Sequence, residues 1–114
     1  MGRSVRFWAP DAVIRIGGSD VFTLEVELVQ KETGRYEEIF ARYQQDPEIA
    51  ACLYLTDAKL LPLLLEKAER YPAIYFASLA ELFEKQEKTL FRNARGRMLE
   101  IEENLERNLN PSPA

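Results

Sequence analysis

The chain has 114 residues, of which 46% are hydrophobic and 30% charged, and its formal net charge is −4. That length fits one domain with a real core, and that composition excludes a disordered chain. The acidic balance excludes a generic polyanion binder, so any nucleic-acid contact has to come from a local basic patch.

A single cysteine, Cys52, excludes an intrachain disulfide. It lies in an apolar run and reads as an inert buried thiol in a reducing compartment. No stretch nears the roughly 18 apolar residues of a membrane span, and Met1-Gly2-Arg3-Ser4 lacks the apolar core of a signal peptide. A cytoplasmic protein without membrane contact is expected.

In chain order, residues 5–9 form a short apolar lead-in of strand character. Its abrupt start is the one expected of a domain cut from something longer. Residues 10–31, PDAVIRIGGSDVFTLEVELVQK, read as a β-hairpin. Residues 12–16 are the first strand, Gly17-Gly18-Ser19-Asp20 the turn and residues 21–29 the return. Side chains two apart on a strand share a face, so Glu25 and Glu27 project together, opposite Leu24, Val26 and Leu28. A strand this apolar belongs inside a sheet, where two adjacent charges are costly unless water, a cation or a metal compensates them. With Asp11 at the mouth of the first strand, the hairpin carries three carboxylates.

Thr33 is placed to cap a helix over residues 33–45. Tyr36, Ile39, Phe40 and Tyr43 recur at i, i+3, i+4 and i+7, giving one aromatic packing face. Lys31, Arg35 and Arg42 fall on another stripe, and Asp46-Pro47 ends the helix. Residues 49–56 are a near-continuous apolar run, expected as a strand buried on both faces. Thr56 or Asp57 caps a helix reaching Arg70, with Pro62 in its first turn and Leu61, Leu64, Leu65 and Ala68 as its buried stripe. Residues 73–77 make a further strand, after which Ser78 caps a helix with Glu81 at the capping-box position. This order predicts an α/β fold: a mixed sheet in which helices cross over between parallel strands and the hairpin supplies an antiparallel pair.

Residues 88–109 are expected as a C-terminal amphipathic helix, with Phe91, Ala94, Met98, Ile101 and Leu105 spaced 3, 4, 3, 4. It either docks on its own domain or pairs with a second copy through Phe91, Met98, Ile101 and Leu105. Gly96 weakens it slightly, and residues 110–114 are expected to be disordered. The basic group Lys85, Lys88, Arg92, Arg95 and Arg97 either contacts phosphates or forms a solvated helix face paired with the acidic half that follows.

The chain has no histidine, which excludes His-based triads and His-ligated zinc. It has no Walker lysine loop and no GxGxxG, and Gly17-Gly18 lies between strands rather than before a helix. Carboxylate chemistry remains, most simply with a hard divalent ion such as Mg²⁺.

Pro10-Asp11 followed by Glu25-Val26-Glu27 on the next strand resembles the PD-(D/E)xK nuclease motif. The longer pattern is PDAVIRI, a glycine turn, FTLEVEL, then Lys31 and Arg35-Tyr36 on a helix, followed by CLYLT and IYFASLAELF. It is similar to the C-terminal nuclease-like domain of plasmid replication-relaxation and mobilisation proteins. The likeness covers roughly residues 8–84. It implies a restriction-endonuclease-like core over residues 5–87, with the upstream winged-helix domain of those proteins absent here. It also implies Asp11 and Glu25 as Mg²⁺ ligands, Glu27 at the position of the motif lysine and Lys31 as a substitute lysine. An acidic residue at that position is shared with the replication-relaxation family and departs from the nuclease pattern.

Three functions therefore stand as expectations. The first is an accessory of plasmid or mobile-element DNA processing, acting through DNA (Arg35, Lys88, Arg92, Arg95) or through DNA-processing proteins. The second is a Mg²⁺-dependent phosphodiesterase using Asp11, Glu25, Glu27 and Lys31. The third is a structural dimerisation module built on the tail. The plain alternative for the carboxylates is a solvent-facing or cation-paired sheet face, with Lys31, Arg35 or Arg15 as partners.

Overall fold

Residues 10–16 and 20–100 are described by the computed structural model of the protein. The lead-in at 5–9, the turn glycines and residues 101–114, including Ile101 and Leu105, lie outside them. Strands β1 (Ala12–Ile16) and β2 (Asp20–Glu27) form the expected antiparallel pair, with Ala12 opposite Leu24 and Ile14 opposite Phe22. Helix α1 (Thr33–Gln45) leads to β3 (Ile49–Thr56), parallel to β2. Helix α2 (Leu61–Lys67) leads to β4 (Ile74–Ser78), parallel to β3. Helix α3 (Leu79–Lys85) and a 3-10 turn at Gln86–Lys88 then bring in β5 (Leu90–Arg92) and β6 (Met98–Glu100), each antiparallel to the strand before it. The result is one six-stranded mixed sheet in the order β1-β2-β3-β4-β5-β6.

Alternation along the inner strands feeds two apolar layers. On one face, Cys52 and Tyr54 of β3 and Ile74 and Phe76 of β4 meet the aromatic stripe of α1 and Leu64 and Ala68 of α2. Phe40 is the hub of this layer: it is fully buried, and its ring contacts those of Tyr36, Tyr54, Tyr71 and Phe76. On the other face, Phe22, Leu53, Leu55 and Tyr75 pack with Phe91 of β5, against Leu79 and Leu82 of α3. β3 is buried on both faces, as its sequence requires.

Several local signals differ from expectation. Glu32, not Thr33, occupies the N-cap of α1, and no side chain bonds there. α2 ends at Lys67 rather than Arg70, because the chain turns over Ala68–Arg70 before Pro72. Asp57 shapes the entry to α2, its Oδ1 accepting from the Lys59 N–H at 2.8 Å. Ser78 caps α3, its Oγ accepting from the Glu81 N–H at 3.1 Å, but Glu81 accepts from the Leu90 N–H instead of closing a capping box.

The largest correction concerns the tail. Residues 90–100 are a β-hairpin, not part of a helix starting at Lys88. Gln86 adopts φ +52°, which breaks the helical path, and the Thr89 hydroxyl donates to Gln86 O at 2.6 Å. Gly96, at φ +84°, supplies the turn that a helix would forbid. Phe91, expected in a seam between helices, is buried at 1% exposure within its own sheet, whereas Met98 is exposed. The basic residues are accordingly spread over α3, the 3-10 turn and the hairpin rather than over one helix face.

Candidate functional site: the carboxylates of the first hairpin

The β1 ladder ends at Ala12, opposite Leu24. Proline at position 10 has no N–H to continue it, and the Asp11 side chain takes over: the Val26 N–H donates to Asp11 Oδ2 at 2.7 Å. Asp11 is exposed, and its role in this geometry is to finish the edge of the hairpin.

Glu25 and Glu27 share the face covered by α1, as the strand alternation predicts. They meet that helix in reverse order, because α1 runs back over β2. The Tyr43 hydroxyl, near the C-terminal end of α1, donates to Glu25 Oε2. The Tyr36 hydroxyl, near the N-terminal end, donates to Glu27 Oε2 at 3.5 Å and accepts from the Lys31 N–H at 2.6 Å. Lys31 Nζ lies 2.6 Å from Glu27 Oε1. Glu27 is 6% exposed, so this ion pair is largely withdrawn from water on the carboxylate side. Directly beside Glu27 in the sheet, Thr56 is fully buried, and its hydroxyl has no hydrogen-bond partner among the described residues.

Burial raises the Glu25 carboxyl above the ordinary carboxylate range. The Tyr43 hydrogen bond opposes this, and the negative charge of Asp11 adds to it. Burial likewise pushes up the phenols of Tyr36 and Tyr43 and the thiol of Cys52. These groups are neutral hydrogen-bonding and packing elements at neutral pH, and Cys52 is not a nucleophile.

The other predicted partners lie elsewhere. Arg35 pairs with Glu38 at 3.2 Å along α1. Arg15 lines a groove of about 330 Å³ between β1 and the C-terminal end of α1, together with Val13, Thr23, Arg42, Tyr43 and Glu48. Lys88, Arg92 and Arg95 lie on the far side of the sheet, on and beside β5.

The arrangement can be tested against a divalent ion from its own donors. Asp11, Glu25 and Glu27 each have an oxygen bonded by a protein donor, respectively the Val26 N–H, Tyr43 and Lys31. Among the described residues, no three acidic or thiol side chains are grouped to hold a metal ion. What the cluster does in this geometry is fasten α1 to β2 through two phenols and hold the β2–α1 connection to Glu27 through one ammonium. Sequence reasoning assigned Tyr36 and Tyr43 to packing alone and missed their hydroxyls.

Among the described residues no helix is long and apolar enough to cross a membrane. Set against family models, curated proteins and solved structures, the chain matches none.

Proposed function

We propose that this chain is a nuclease-like domain of the plasmid replication-relaxation and mobilisation type, with a restriction-endonuclease-like core whose carboxylate motif has become a structural fastening. Its role is accessory: it takes part in DNA processing in the cytoplasm through contacts with DNA or DNA-processing proteins, and does not cleave. The supporting observation is the Glu27–Lys31–Tyr36 triangle, which occupies the motif-lysine position and its substitute lysine with each other. The order of parts agrees with the resemblance: Asp11 and Glu25-Val26-Glu27 on an antiparallel hairpin, then a helix, then a parallel strand.

The competing reading is a Mg²⁺-dependent phosphodiesterase, favoured by one observation: Asp11 lies close enough to Glu25 to raise its carboxyl. Calorimetry with Mg²⁺ and Mn²⁺ on the native protein and on Asp11→Ala/Glu25→Ala separates the two, alongside a plasmid-nicking assay. The accessory reading expects no carboxylate-dependent metal binding at millimolar concentration and no nicking. Metal binding lost in the double variant, together with metal-dependent nicking, would establish the enzyme instead.

A further inference from the structure

We propose that the β5–β6 hairpin is a docking surface for the phosphate backbone of duplex DNA, separate from the carboxylate cluster; the choice of DNA as partner rests on the accessory reading above. The β5–β6 hairpin carries Arg92, Arg95 and Arg97 in and beside its turn, and its one carboxylate, Glu100, lies at the far end of β6 from that turn. All three arginines are exposed, and none takes part in the ion pairs Lys31–Glu27 and Arg35–Glu38. A hairpin built only for solubility would intersperse both signs of charge.

The turn is rigid, and its polar groups are used inward. Asn93 is 3% exposed; its Nδ2 donates to Pro72 O at 2.9 Å, anchoring the turn to the segment before β4. Its Oδ1 accepts from the Arg95 N–H at 3.0 Å and the Arg97 N–H at 2.8 Å. The backbone closes through Asn93 N–H to Arg97 O and Gly96 N–H to Asn93 O, both at 3.0 Å. The guanidinium groups are left facing outward from a backbone that has little freedom to lose on binding, the condition under which charged contacts keep most of their gain.

Placement strengthens the argument. The turn lies at the edge where the parallel strands β2, β3 and β4 begin, as its bond to Pro72 shows. Arg70 precedes that proline, Arg42 sits in the last turn of α1 and Arg15 faces the start of β2, so six of the seven described arginines share this edge. Of the carboxylates there, Asp20, Asp46 and Glu48 lie at the β1–β3 end, and Glu37, Glu66 and Glu69 share a groove with Arg70, which leaves the hairpin arginines as the part of this edge without a carboxylate in the turn itself. Glu25 and Glu27 lie where β2 ends, three strands from β5. At about 4.8 Å per strand, that is at least about 14 Å across the sheet.

Three arginines within six residues match a row of phosphates, which guanidinium binds bidentately. A membrane surface would need apolar residues at the tip, and Asn93-Ala94-Arg95-Gly96-Arg97 offers only Ala94.

The test is fluorescence anisotropy on a short DNA duplex across a salt series, with EDTA present so that neither metal binding nor cleavage enters. Neutralising three phosphates contributes about −2.7 to the slope of log K against log salt. Arg92→Ala/Arg95→Ala/Arg97→Ala is expected to lose that much slope and about a hundredfold in affinity near 0.1 M salt. The triple lysine variant is expected to keep the slope. If the alanine variant does not melt like the native protein, the triple glutamine variant is measured in its place. An unchanged slope overturns the proposal, as does a native protein that fails to bind duplex, including one that binds polyglutamate and so favours an acidic protein partner. If the slope instead falls on changing Lys88 or Arg35, the hairpin is wrong while the DNA-contact reading stands.

Discussion

Replacing Lys31 with alanine removes the ammonium 2.6 Å from Glu27 Oε1. The carboxylate left behind keeps the 3.5 Å contact with the Tyr36 hydroxyl. Stranding one member of a fully buried pair costs about 3–5 kcal/mol, whereas an exposed pair contributes about 0–1 kcal/mol. This pair is intermediate, because the Lys31 side chain is 40% exposed and that of Glu27 only 7%. Water can enter where the lysine stood but reaches the carboxylate poorly, so the expected loss is about 1.5–2 kcal/mol. At about 2.1 cal/mol/K of unfolding entropy per residue, that lowers Tm by about 6–8 °C. Glu27→Gln removes the charge and keeps an acceptor, and is expected to cost about 0.5–1 kcal/mol. The double variant should then cost about 1 kcal/mol less than the sum of the two, since no charge is stranded. Urea unfolding of the four proteins at pH 7 closes the cycle. A Lys31→Ala loss below about 0.5 kcal/mol with strict additivity would refute the claim that this pair fastens the β2–α1 connection to the sheet.

Three more outcomes are expected. Because burial raises the Glu25 carboxyl in the folded state, its contribution to stability is full below the ordinary carboxylate range and is lost as pH rises through the raised value; Glu25→Gln, which keeps an acceptor for Tyr43, should flatten that part of a stability–pH curve, and an unchanged curve would reject the assignment. Asn93→Ala removes the bonds to Pro72 O and to the Arg95 and Arg97 N–H groups, with an expected loss of about 2–4 kcal/mol by urea unfolding; a loss under about 1 kcal/mol would show the turn to be held otherwise. Phe40→Ala, at the hub of the ring cluster, should cost about 3–5 kcal/mol, whereas Phe83→Ala, at 75% exposure, should stay within about 0.5 kcal/mol; equal losses would mean that the helix-side layer is not the main core.

Periodicity carried most of the fold. β3 and α1 were legible because a two-faced apolar run and a 3.6-residue aromatic stripe each admit one placement. The tail failed on the same criterion. Phe91, Ala94 and Met98 satisfy helical spacing, but the same residues also fit a short hairpin, with Phe91 facing the core and Arg92 facing out. Two signals argued for the hairpin: a glycine at the centre of an Arg-Gly-Arg sequence and an asparagine three residues before it, which is turn chemistry rather than helix chemistry. Neither outweighs a hydrophobic repeat when the partner surface is unknown, and that surface, the face of β3 and β4 bearing Leu53, Leu55 and Tyr75, is assembled only in three dimensions.

The site was legible to the same depth. That Glu25 and Glu27 point together follows from strand geometry, and that a charge so placed needs a partner follows from solvation. Which partner follows from a step that the sequence also contains. A helix joining parallel strands runs back along the strand before it, so its first aromatic meets the later glutamate and its last meets the earlier one. Tyr36 therefore belongs with Glu27 and Tyr43 with Glu25, as found. The seven-residue step from Tyr36 to Tyr43 spans about 10.5 Å of helix, while the glutamates are about 6.8 Å apart along the strand. The mismatch of about 4 Å is within what long side chains can bridge. Tyrosine is needed because phenylalanine would fill the same core volume but leave Glu25 without its Tyr43 donor and Glu27 with the Lys31 ammonium alone. Exchanging both tyrosines for phenylalanine thus separates packing from fastening, and a loss well above that of an exposed hydroxyl would place the fastening, rather than the ring packing, at the centre of this face.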